Sequence, residues 1–388
     1  MNPLALLFSM SFLVFFDIRI LVPVLPSISD SLNASPGSVG LAMTTYAFAY
    51  GIGQLIFGPL SDRLGRIEVV RAVSIGFSIF TMISALAMTA WQFVGARLLV
   101  GIFAGGVIPL TLVFIGDTVE YERRQVVLGR FAMITSSAMA FSASIGGTVA
   151  HFISWRFMLL AYGVLALIPI GLMWRIKTVP PVMKPEIAPG FLEILCDRRA
   201  QFVYAAVFLQ GVLLWGGMTY LGSFATGRYS LDQFKVGLLV ALFGIGMMAA
   251  GSLMKWIHRR LSENSLAALG GFLMGTAYLA LIPQWPAFTY AICMFVMGFG
   301  YVNLHTTLQL RGTEIHPAAR GKAFSLFAFL LFAGIATGSA LFGKLVDAGY
   351  YKTIFTIAGV GLIGIGLATS LSPPREQREE NPRSLLKR

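Results

Sequence analysis

The chain has 388 residues, of which 56% are hydrophobic and only 12% are charged, a composition far from that of a soluble globular protein. Its formal net charge of +12 is spread over many short connections and forms no basic domain, which argues against a nucleic-acid partner. The two cysteines, Cys196 and Cys293, have neither metal-ligand nor redox spacing, so no metal site and no cofactor is expected. The composition therefore predicts a protein that lies in a lipid bilayer.

Twelve apolar segments follow one another along the chain, and each is close to the roughly twenty residues that cross the hydrocarbon core. The first has no basic residue before it and no small-residue cleavage site after it, so we expect a retained span and no signal peptide. The sequence therefore predicts an all-α membrane protein with twelve transmembrane helices. The segments cover residues 4–27, 38–60, 69–89, 92–117, 129–152, 156–174, 200–222, 235–256, 265–283, 286–309, 321–343 and 352–371.

The longest polar connection, from Arg175 to Gln201, separates the sixth segment from the seventh. Its prolines and charges are typical of a linker between two halves of six helices each. The sequence therefore predicts four regions, which are an N-terminal six-helix bundle (1–174), a cytoplasmic linker (175–199), a C-terminal six-helix bundle (200–371) and a cytoplasmic tail (372–388).

The two halves show weak internal symmetry, as in transporters that consist of repeated units. A glycine and a short basic loop end the second segment, in "GPLSDRLGR", and they end the eighth, in "GSLMKWIHRR". Corresponding stretches stand about 193 to 196 residues apart, which is half of the chain. We therefore expect two six-helix bundles related by pseudo-symmetry.

Basic residues are unevenly distributed between the two sides of the predicted bundle, and an excess of Lys and Arg marks cytoplasmic connections. If the N-terminus is inside, most Lys and Arg residues fall in inner connections and in the tail. The outer connections then contain only Arg156, Arg228, Lys235, Lys344 and Lys352. The sequence therefore predicts a multi-pass protein of the cell membrane with both termini in the cytoplasm.

Several short motifs point to one family. The stretch "GPLSDRLGR" matches the pattern G-x-L-x-D-R-x-G-R, "RLLVG" places an arginine four residues before a glycine, and "FFDIRILVPVLPSI" places an aspartate nine residues before a proline. With these motifs the chain resembles the major facilitator superfamily, and within it the twelve-helix drug:proton antiporters. One antiporter motif is altered, because "SASIGG" has Ser142 and Ala143 where the fifth-helix signature has Gly-Pro. The resemblance implies two bundles that rock about a midplane cavity.

The connection between the second and third segments, called the signature loop, combines small and charged residues at the membrane surface. Its candidate gating residues are Gly58, Asp62, Arg63, Gly65 and Arg66. We expect Gly58 to allow close helix approach and Arg66 to pair with Asp117 at the end of the fourth segment. The resemblance implies that such contacts lock the cytoplasmic ends of the halves in the outward-open state. The alternative is a solvated loop that only sets topology.

Three charged residues lie at membrane depth, where charges are costly and usually face a cavity or a partner. Asp17 and Arg19 point about 200° apart on a helix, so each needs its own partner. The resemblance implies that Arg97 pairs with Asp17, and alternation between this pair and a bound proton would couple proton entry to the conformational cycle. A permanent structural ion pair is the alternative. Arg19 either binds an anionic substrate group or pairs with a carboxylate.

Polar and aromatic side chains recur every four residues in the second and tenth segments, and the internal repeat adds a glutamine opposite Asp17. The predicted substrate cavity is lined by Arg19, Tyr46, Tyr50, Gln54, Gln210, Tyr301 and His305. For the aromatic rings, helix packing is the alternative. His305 is also a candidate proton carrier, with a hydrogen bond to a neighbouring helix as the alternative.

These observations predict a monomeric secondary transporter with a small-molecule substrate, protons and the bilayer as its partners. No phosphate-binding loop and no nucleophile or ligand cluster is present in the sequence, so neither ATP hydrolysis nor an enzyme is expected. The resemblance favours proton-coupled efflux of small lipophilic or drug-like compounds by alternating access. A proton-linked transporter of an anionic metabolite is the alternative, and Arg19 favours it.

Overall fold

The computed structural model describes residues 3–176, 190–314 and 320–371, so most of the predicted linker and the whole predicted tail lie outside the described residues. Within these ranges the chain is helical and contains no β-strand, which confirms the predicted all-α fold. A π-helical turn, Gly211–Trp215, lies between α9 and α10. The helices are α1 Pro3–Ile20, α2 Leu25–Ser31, α3 Pro36–Leu64, α4 Arg66–Ala85, α5 Ala90–Thr118, α6 Tyr121–Phe152, α7 Trp155–Met173, α8 Phe191–Cys196, α9 Arg198–Gln210, α10 Gly216–Met218, α11 Leu221–Tyr229, α12 Gln233–His258, α13 Glu263–Ala280, α14 Ala287–Glu314, α15 Arg320–Asp347 and α16 Tyr351–Leu371.

Eleven of the twelve predicted membrane spans correspond to helices that qualify as spans. Eleven helical segments in the described ranges are long and apolar enough to cross a bilayer. The remaining predicted span is α13, whose first turn contains Glu263 and Asn264 and therefore lowers its mean hydropathy. Because α13 packs between α14 and α16, its polar start does not prevent it from completing the second bundle. The twelve predicted segments therefore all correspond to helices.

The first span is interrupted, and the prediction of one continuous segment over 4–27 is wrong. Pro23 has no backbone N–H, and its ring disfavours the helical conformation of Val22. Two short turns replace the helix there, with Val22 N–H donating to the Arg19 carbonyl at 3.2 Å and Val24 N–H to the Leu21 carbonyl at 3.1 Å. The chain then re-enters a helix as α2. This break follows directly after the predicted functional residues of α1.

The first span of the second half is interrupted at a similar place. Instead of one segment over 200–222, α9 passes into the π turn after Gln210, and α10 is followed by a further turn at Thr219 and Tyr220. A π turn contains i→i+5 hydrogen bonds and often marks a functional site. Discontinuous helices are also the usual framework for midplane sites in transporters. Both halves therefore begin with a broken helix.

Close backbone contacts repeat in the two halves. A Cβ atom on Gly53 of α3 would overlap the carbonyl oxygen of Ile102 in α5, and one on Gly246 of α12 would overlap that of Phe295 in α14. Gly246 and Phe295 each stand 193 positions after Gly53 and Ile102. Small residues allow such approach where lipid provides little hydrophobic driving force. The two bundles therefore share one packing scheme, which agrees with the predicted pseudo-symmetry.

The two halves touch at the end of the bundle where α15 ends. This end is called the far end, and the opposite end, with the α3–α4 connection, is called the loop end. Asp347 reaches from α15 to the start of α3 and accepts hydrogen bonds from Ser35 Oγ and Gly37 N–H, each 2.8 Å long. A carboxylate is favourable at a helix N-terminus. Nearby, Gly222 packs so tightly on the Val22 carbonyl that no side chain fits. Direct contacts between the halves therefore close the far end.

The loop end shows a different environment around its glycines. A Cβ atom on Gly58 would meet no atom within 4 Å, and the same holds for Gly116 and Gly251. The prediction that Gly58 allows close helix approach is therefore wrong for this conformation, because open space adjoins it. The carbonyl of Gly58 instead accepts a 2.7 Å hydrogen bond from Ser61 Oγ.

We expect Gly53→Ala to destabilise the protein by about 1–3 kcal/mol, because the added methyl group would force α3 away from α5. Thermal unfolding of the purified protein in detergent measures this change. Gly95→Ala is the matched control, since a Cβ there meets no atom within 4 Å and alanine is the better helix former. Equal melting temperatures for the two variants would contradict the proposed role of the backbone contact.

Removal of the Asp347 carboxylate is expected to open the far end. Spin labels at Ser38→Cys and Lys344→Cys, in a chain whose two native cysteines are serine, report the distance between α3 and α15 by pulsed electron paramagnetic resonance. Asp347→Ala should shift this distance distribution to longer values, because it removes both hydrogen bonds to α3. Asp232→Ala is the control, since Asp232 accepts from Lys235 N–H within its own helix at 2.8 Å. An unchanged distribution in Asp347→Ala would contradict the prediction.

Candidate functional site

The centre of the first half contains a buried ion pair. Arg97 Nη1 and Nη2 donate to Asp17 Oδ1 and Oδ2 over 3.1 Å and 2.6 Å, and the side chains of Arg97 and Asp17 are 1% and 0% exposed. Two parallel bonds of this kind are the strongest arrangement for an arginine and a carboxylate. The guanidinium carbon of Arg97 also lies 4.6 Å from the centre of the Tyr46 ring. The pair that the resemblance implied is therefore present, while its coupling role stays a prediction.

Two hydroxyl groups from other helices hold α1 beside this pair. Ser142 Oγ of α6 donates to the carbonyl of Phe16, and the Tyr162 hydroxyl of α7 donates to the carbonyl of Leu13. Ser142 occupies the position where the antiporter signature has glycine, so the altered motif supplies a hydrogen bond that glycine could not make. Sequence reasoning noted the altered motif but missed this contact. The signal was a hydroxyl in the place of a glycine.

Arg19 lies on the opposite face of α1 and has no acidic partner in the described ranges. Its side chain is 5% exposed, its Nε atom is buried without a hydrogen bond, and no ion pair involves it among the residues that the structure describes. Instead, its guanidinium carbon lies 3.6 Å from the centre of the Trp215 ring and 5.8 Å from that of Phe243. Aromatic faces attract cations but do not neutralise them. The site therefore holds an arginine whose charge is uncompensated by these residues.

The second half contributes a hydrogen-bonded pair near Arg19. His305 Nδ1 lies 2.8 Å from Gln210 Oε1, and the His305 ring stacks on Tyr301 at 4.6 Å between centres and 16° between planes. Tyr301 in turn packs edge-on against Trp215 at 4.9 Å. His305 is partly exposed, whereas Gln210 is fully buried. The structure therefore brings these predicted cavity residues together in one continuous cluster, with the hydrogen bond that was the alternative for His305.

Trp215 is the contact residue that sequence reasoning missed. In an α-helix, positions 210 and 215 point about 140° apart, so an α-helical reading separates Gln210 from Trp215. The π turn between them brings these positions closer to one face, because its i→i+5 bonds lengthen the turn. A local sequence signal for this turn is the glycine at its start, Gly211. In the structure it packs against the Leu331 carbonyl, where no side chain would fit.

The aromatic stripe on α3 faces the second half. Tyr46 and Tyr50 stack with their ring centres 6.0 Å apart, and Tyr50 contacts Phe332 of α15 at 4.1 Å. Gln54, one turn further, is buried. The Tyr46 hydroxyl is buried and has no hydrogen-bond partner in the described part of the chain. The stripe therefore packs against α15, which was the alternative for its rings, while its role in lining a substrate cavity stays a prediction.

The signature loop forms a compact charge cluster within the first half. Arg66 contacts Asp62 at 2.5 Å and Asp117 at 3.2 Å, and it donates a further hydrogen bond to Ser61 Oγ. Gly65 has a φ of +97°, a conformation that favours glycine and that turns α3 into α4. The predicted Arg66–Asp117 pair is present, and Arg63 is exposed. All three partners of Arg66 belong to the first half, so this cluster shapes the loop and does not itself join the halves.

Comparison with known proteins agrees with this architecture. Residues 7–318 match the family model described as Major Facilitator Superfamily, which is most of the chain. The chain belongs to the Major Facilitator Superfamily. It is similar over 90% of its length, at 26% identity, to a protein of Bacillus subtilis (strain 168) named uncharacterized MFS-type transporter YceJ, of which it covers 90%. It is therefore a multi-pass membrane transporter, and this family and its relatives are transporters, not enzymes.

Other similarities involve transporters with different names. A probable sugar efflux transporter of Helicobacter pylori (strain G27) is 26% identical, with 87% of each chain covered. A gentisate transporter of Corynebacterium glutamicum (strain ATCC 13032) is 25% identical, with 82% of this chain and 76% of that protein covered. The crystal structure of the nucleoside transporter NupG (D323A mutant) superposes with a TM-score of 0.79 at 13% identity, covering 96% of this chain and 100% of that chain. This structural likeness shows the shared fold.

A double-mutant cycle tests the charge cluster of the signature loop. Arg66→Ala should reduce the transport rate more than Asp117→Ala. The first substitution removes all three contacts of Arg66, whereas the second removes only one of them. In the Arg66→Ala background, Asp117→Ala should add little further loss. Initial transport rates in proteoliposomes, normalised to the amount of protein, measure both effects. Additive losses would mean that the two side chains act independently.

Proposed function

We propose that this protein is a proton-linked secondary transporter of small organic anions that works by alternating access. The single observation that carries the proposal is Arg19, which is buried at membrane depth and lacks an acidic partner among the described residues. A cation in this position is costly unless an anion compensates it. An anionic substrate group would supply that compensation each time the site is loaded. The name of the gentisate transporter relative, gentisate being a carboxylate, supports an anionic substrate.

Asp17 and Arg97 are proposed as the coupling pair. A proton on Asp17 would remove the charge that attracts Arg97, and loss of that proton would restore the pair, so protonation and helix position would depend on each other. Ser142 and Tyr162 hold the carbonyls of Phe16 and Leu13, which precede Asp17 in α1, and these bonds would transmit a shift of Asp17 to α6 and α7. His305 is the second candidate for a proton-carrying group.

The proposed cycle moves residues 1–174 against residues 200–371, with 175–199 as the connecting linker. Lys and Arg residues predominate in the connections of the loop end, which supports a cytoplasmic loop end, a cytoplasmic location for both termini and an external far end. With the far end external, the contacts of Asp347 with α3 close the outer side of the protein. This arrangement corresponds to an inward-facing state. We propose that the signature loop gates the opposite transition, and that the protein works as a monomer in the cell membrane.

Efflux of uncharged lipophilic or drug-like compounds is the second candidate function. The contact of Tyr50 with Phe332 at 4.1 Å and of Trp215 with Tyr301 at 4.9 Å supports it, because aromatic walls suit such compounds. An uncharged substrate would leave Arg19 without a counter-charge. The same experiment separates the two candidates, because only the anion transporter should discriminate by substrate charge.

Arg19→Gln should weaken the binding of organic anions by about tenfold or more, and weaken that of neutral compounds much less, because one charge-assisted contact is lost. Asp17→Asn should retain substrate binding but lose transport against a gradient, since it mimics a permanently protonated carboxyl. Binding is measured with the purified protein, and uphill transport with proteoliposomes under an imposed pH gradient.

Arg123→Gln is the control for charge, because the Arg123 side chain is 82% exposed. Equal losses for anionic and neutral compounds in Arg19→Gln would contradict the anion proposal and leave efflux of neutral compounds. Normal uphill transport by Asp17→Asn would exclude Asp17 as the coupling site. His305 would then be the next residue to replace.

A further inference from the structure

The cluster of Arg19, Gln210, Trp215, Tyr301 and His305 has two chemically different ends. At one end the guanidinium of Arg19 lies against Trp215, with 3.6 Å between its carbon and the ring centre. A guanidinium that contacts a ring through its flat face keeps its N–H groups in its own plane, where they match the two oxygens of a carboxylate. Nε is one of these donors, and it has no hydrogen-bond partner in the described ranges. This end is therefore suited to an acceptor with a negative charge.

The opposite end is neutral and presents an acceptor. With the Gln210 amide oriented as in this structure, its Oε1 accepts from Nδ1–H of a neutral His305, and in that arrangement Nε2 keeps its lone pair. In the part of the chain that the structure describes, no other hydrogen bond involves His305, and its side chain is partly exposed. A carboxylate has no proton to donate and would not bind there. A hydroxyl group would donate to Nε2, and Gln210 acts as the positioning residue that fixes the tautomer.

Aromatic rings connect these two ends without interruption. The ring centres of Trp215 and Tyr301 are 4.9 Å apart, those of Tyr301 and His305 are 4.6 Å apart, and Phe243 packs against Trp215 at 5.3 Å. A flat aromatic body gains more from such walls than an aliphatic ring of similar size, because aromatic pairs attract each other beyond the area that they bury. A substrate that contacts these rings between the two polar ends would therefore be selected for shape and π character.

We propose that the substrate is an aromatic carboxylate with a hydroxyl group on its ring. Its carboxylate binds Arg19, its ring lies along Trp215 and Tyr301, and its hydroxyl donates to His305 Nε2. This inference rests on the proposed anion transport and narrows it. A sugar would supply hydroxyl groups but leave Arg19 uncompensated, and an aliphatic hydroxy acid would lack the π face.

Titration calorimetry of the full-length protein in detergent tests the proposal. The four probes are benzoate, 3-hydroxybenzoate, cyclohexanecarboxylate and benzamide. Benzoate should bind roughly three- to tenfold more tightly than cyclohexanecarboxylate. 3-Hydroxybenzoate should bind about fivefold more tightly than benzoate, because it adds one hydrogen bond. Benzamide, which has the ring but no charge, should bind at least about tenfold more weakly than benzoate.

Two histidine variants locate the hydroxyl contact. His305→Ala should bring the affinity ratio of 3-hydroxybenzoate to benzoate close to one, because Nε2 is lost. His151→Ala is the matched control, since His151 is exposed at the far end, and it should leave the ratio unchanged. A ratio that His305→Ala does not alter would overturn the assignment of the hydroxyl to His305.

The ranking of probe affinities in the unmodified protein tests the aromatic substrate class and the negative charge of the substrate, and it needs no variant. Equal affinities for benzoate and cyclohexanecarboxylate would overturn the aromatic substrate class while leaving anion transport intact. Equal affinities for benzoate and benzamide would instead contradict anion transport itself. The failure of the inference and the failure of the proposed function therefore give different results.

Discussion

The ion pair between Asp17 and Arg97 constrains the arrangement of the first half. A buried pair whose partner is removed leaves an uncompensated charge, which costs about 3–5 kcal/mol, so α1 and α5 must keep the two groups in register. Ser142 and Tyr162 add hydrogen bonds from α6 and α7 to the carbonyls of the same stretch of α1. Four of the six spans in this half are therefore joined through the stretch of α1 from Leu13 to Asp17.

The two buried arginines of this region are held in related ways. Arg97 lies over Tyr46 at 4.6 Å, and Arg19 lies over Trp215 at 3.6 Å. A proton on Asp17 would leave Arg97 as Arg19 already is, with an aromatic face but no counter-charge. With Asp17 charged, the three groups sum to one positive charge, which a bound monoanion would cancel. Under the proposed anion transport, the electrostatics of the site would therefore link the charge of the substrate to the protonation of Asp17.

Composition and segment length were sufficient to place the spans along the chain, because a bilayer imposes its thickness on every crossing helix, but they did not predict the breaks after Ile20 and Gln210. The Asp17–Arg97 pair was predictable because a charge at membrane depth needs a partner and the resemblance to the drug:proton antiporters implied Arg97. Trp215 was not predictable, since an α-helical reading places it on the wrong face and only the π turn corrects this. Asp347 was also missed, because its contacts with Ser35 and Gly37 join stretches more than three hundred positions apart. Gly58 showed the converse, as its motif suggested a contact that this conformation does not make.

The repeated glycine contacts separate the parts of the molecule that can vary from those that cannot. Gly53 and Gly246 each face a carbonyl oxygen, so even one methyl group would have to move a backbone. Trp215 and Tyr301 meet through long side chains, which tolerate repacking when total volume is kept. If the proposed substrate site is correct, single changes at these aromatic rings would alter substrate preference while the helix frame stays intact. In a laboratory evolution experiment, specificity and stability would be two largely independent traits.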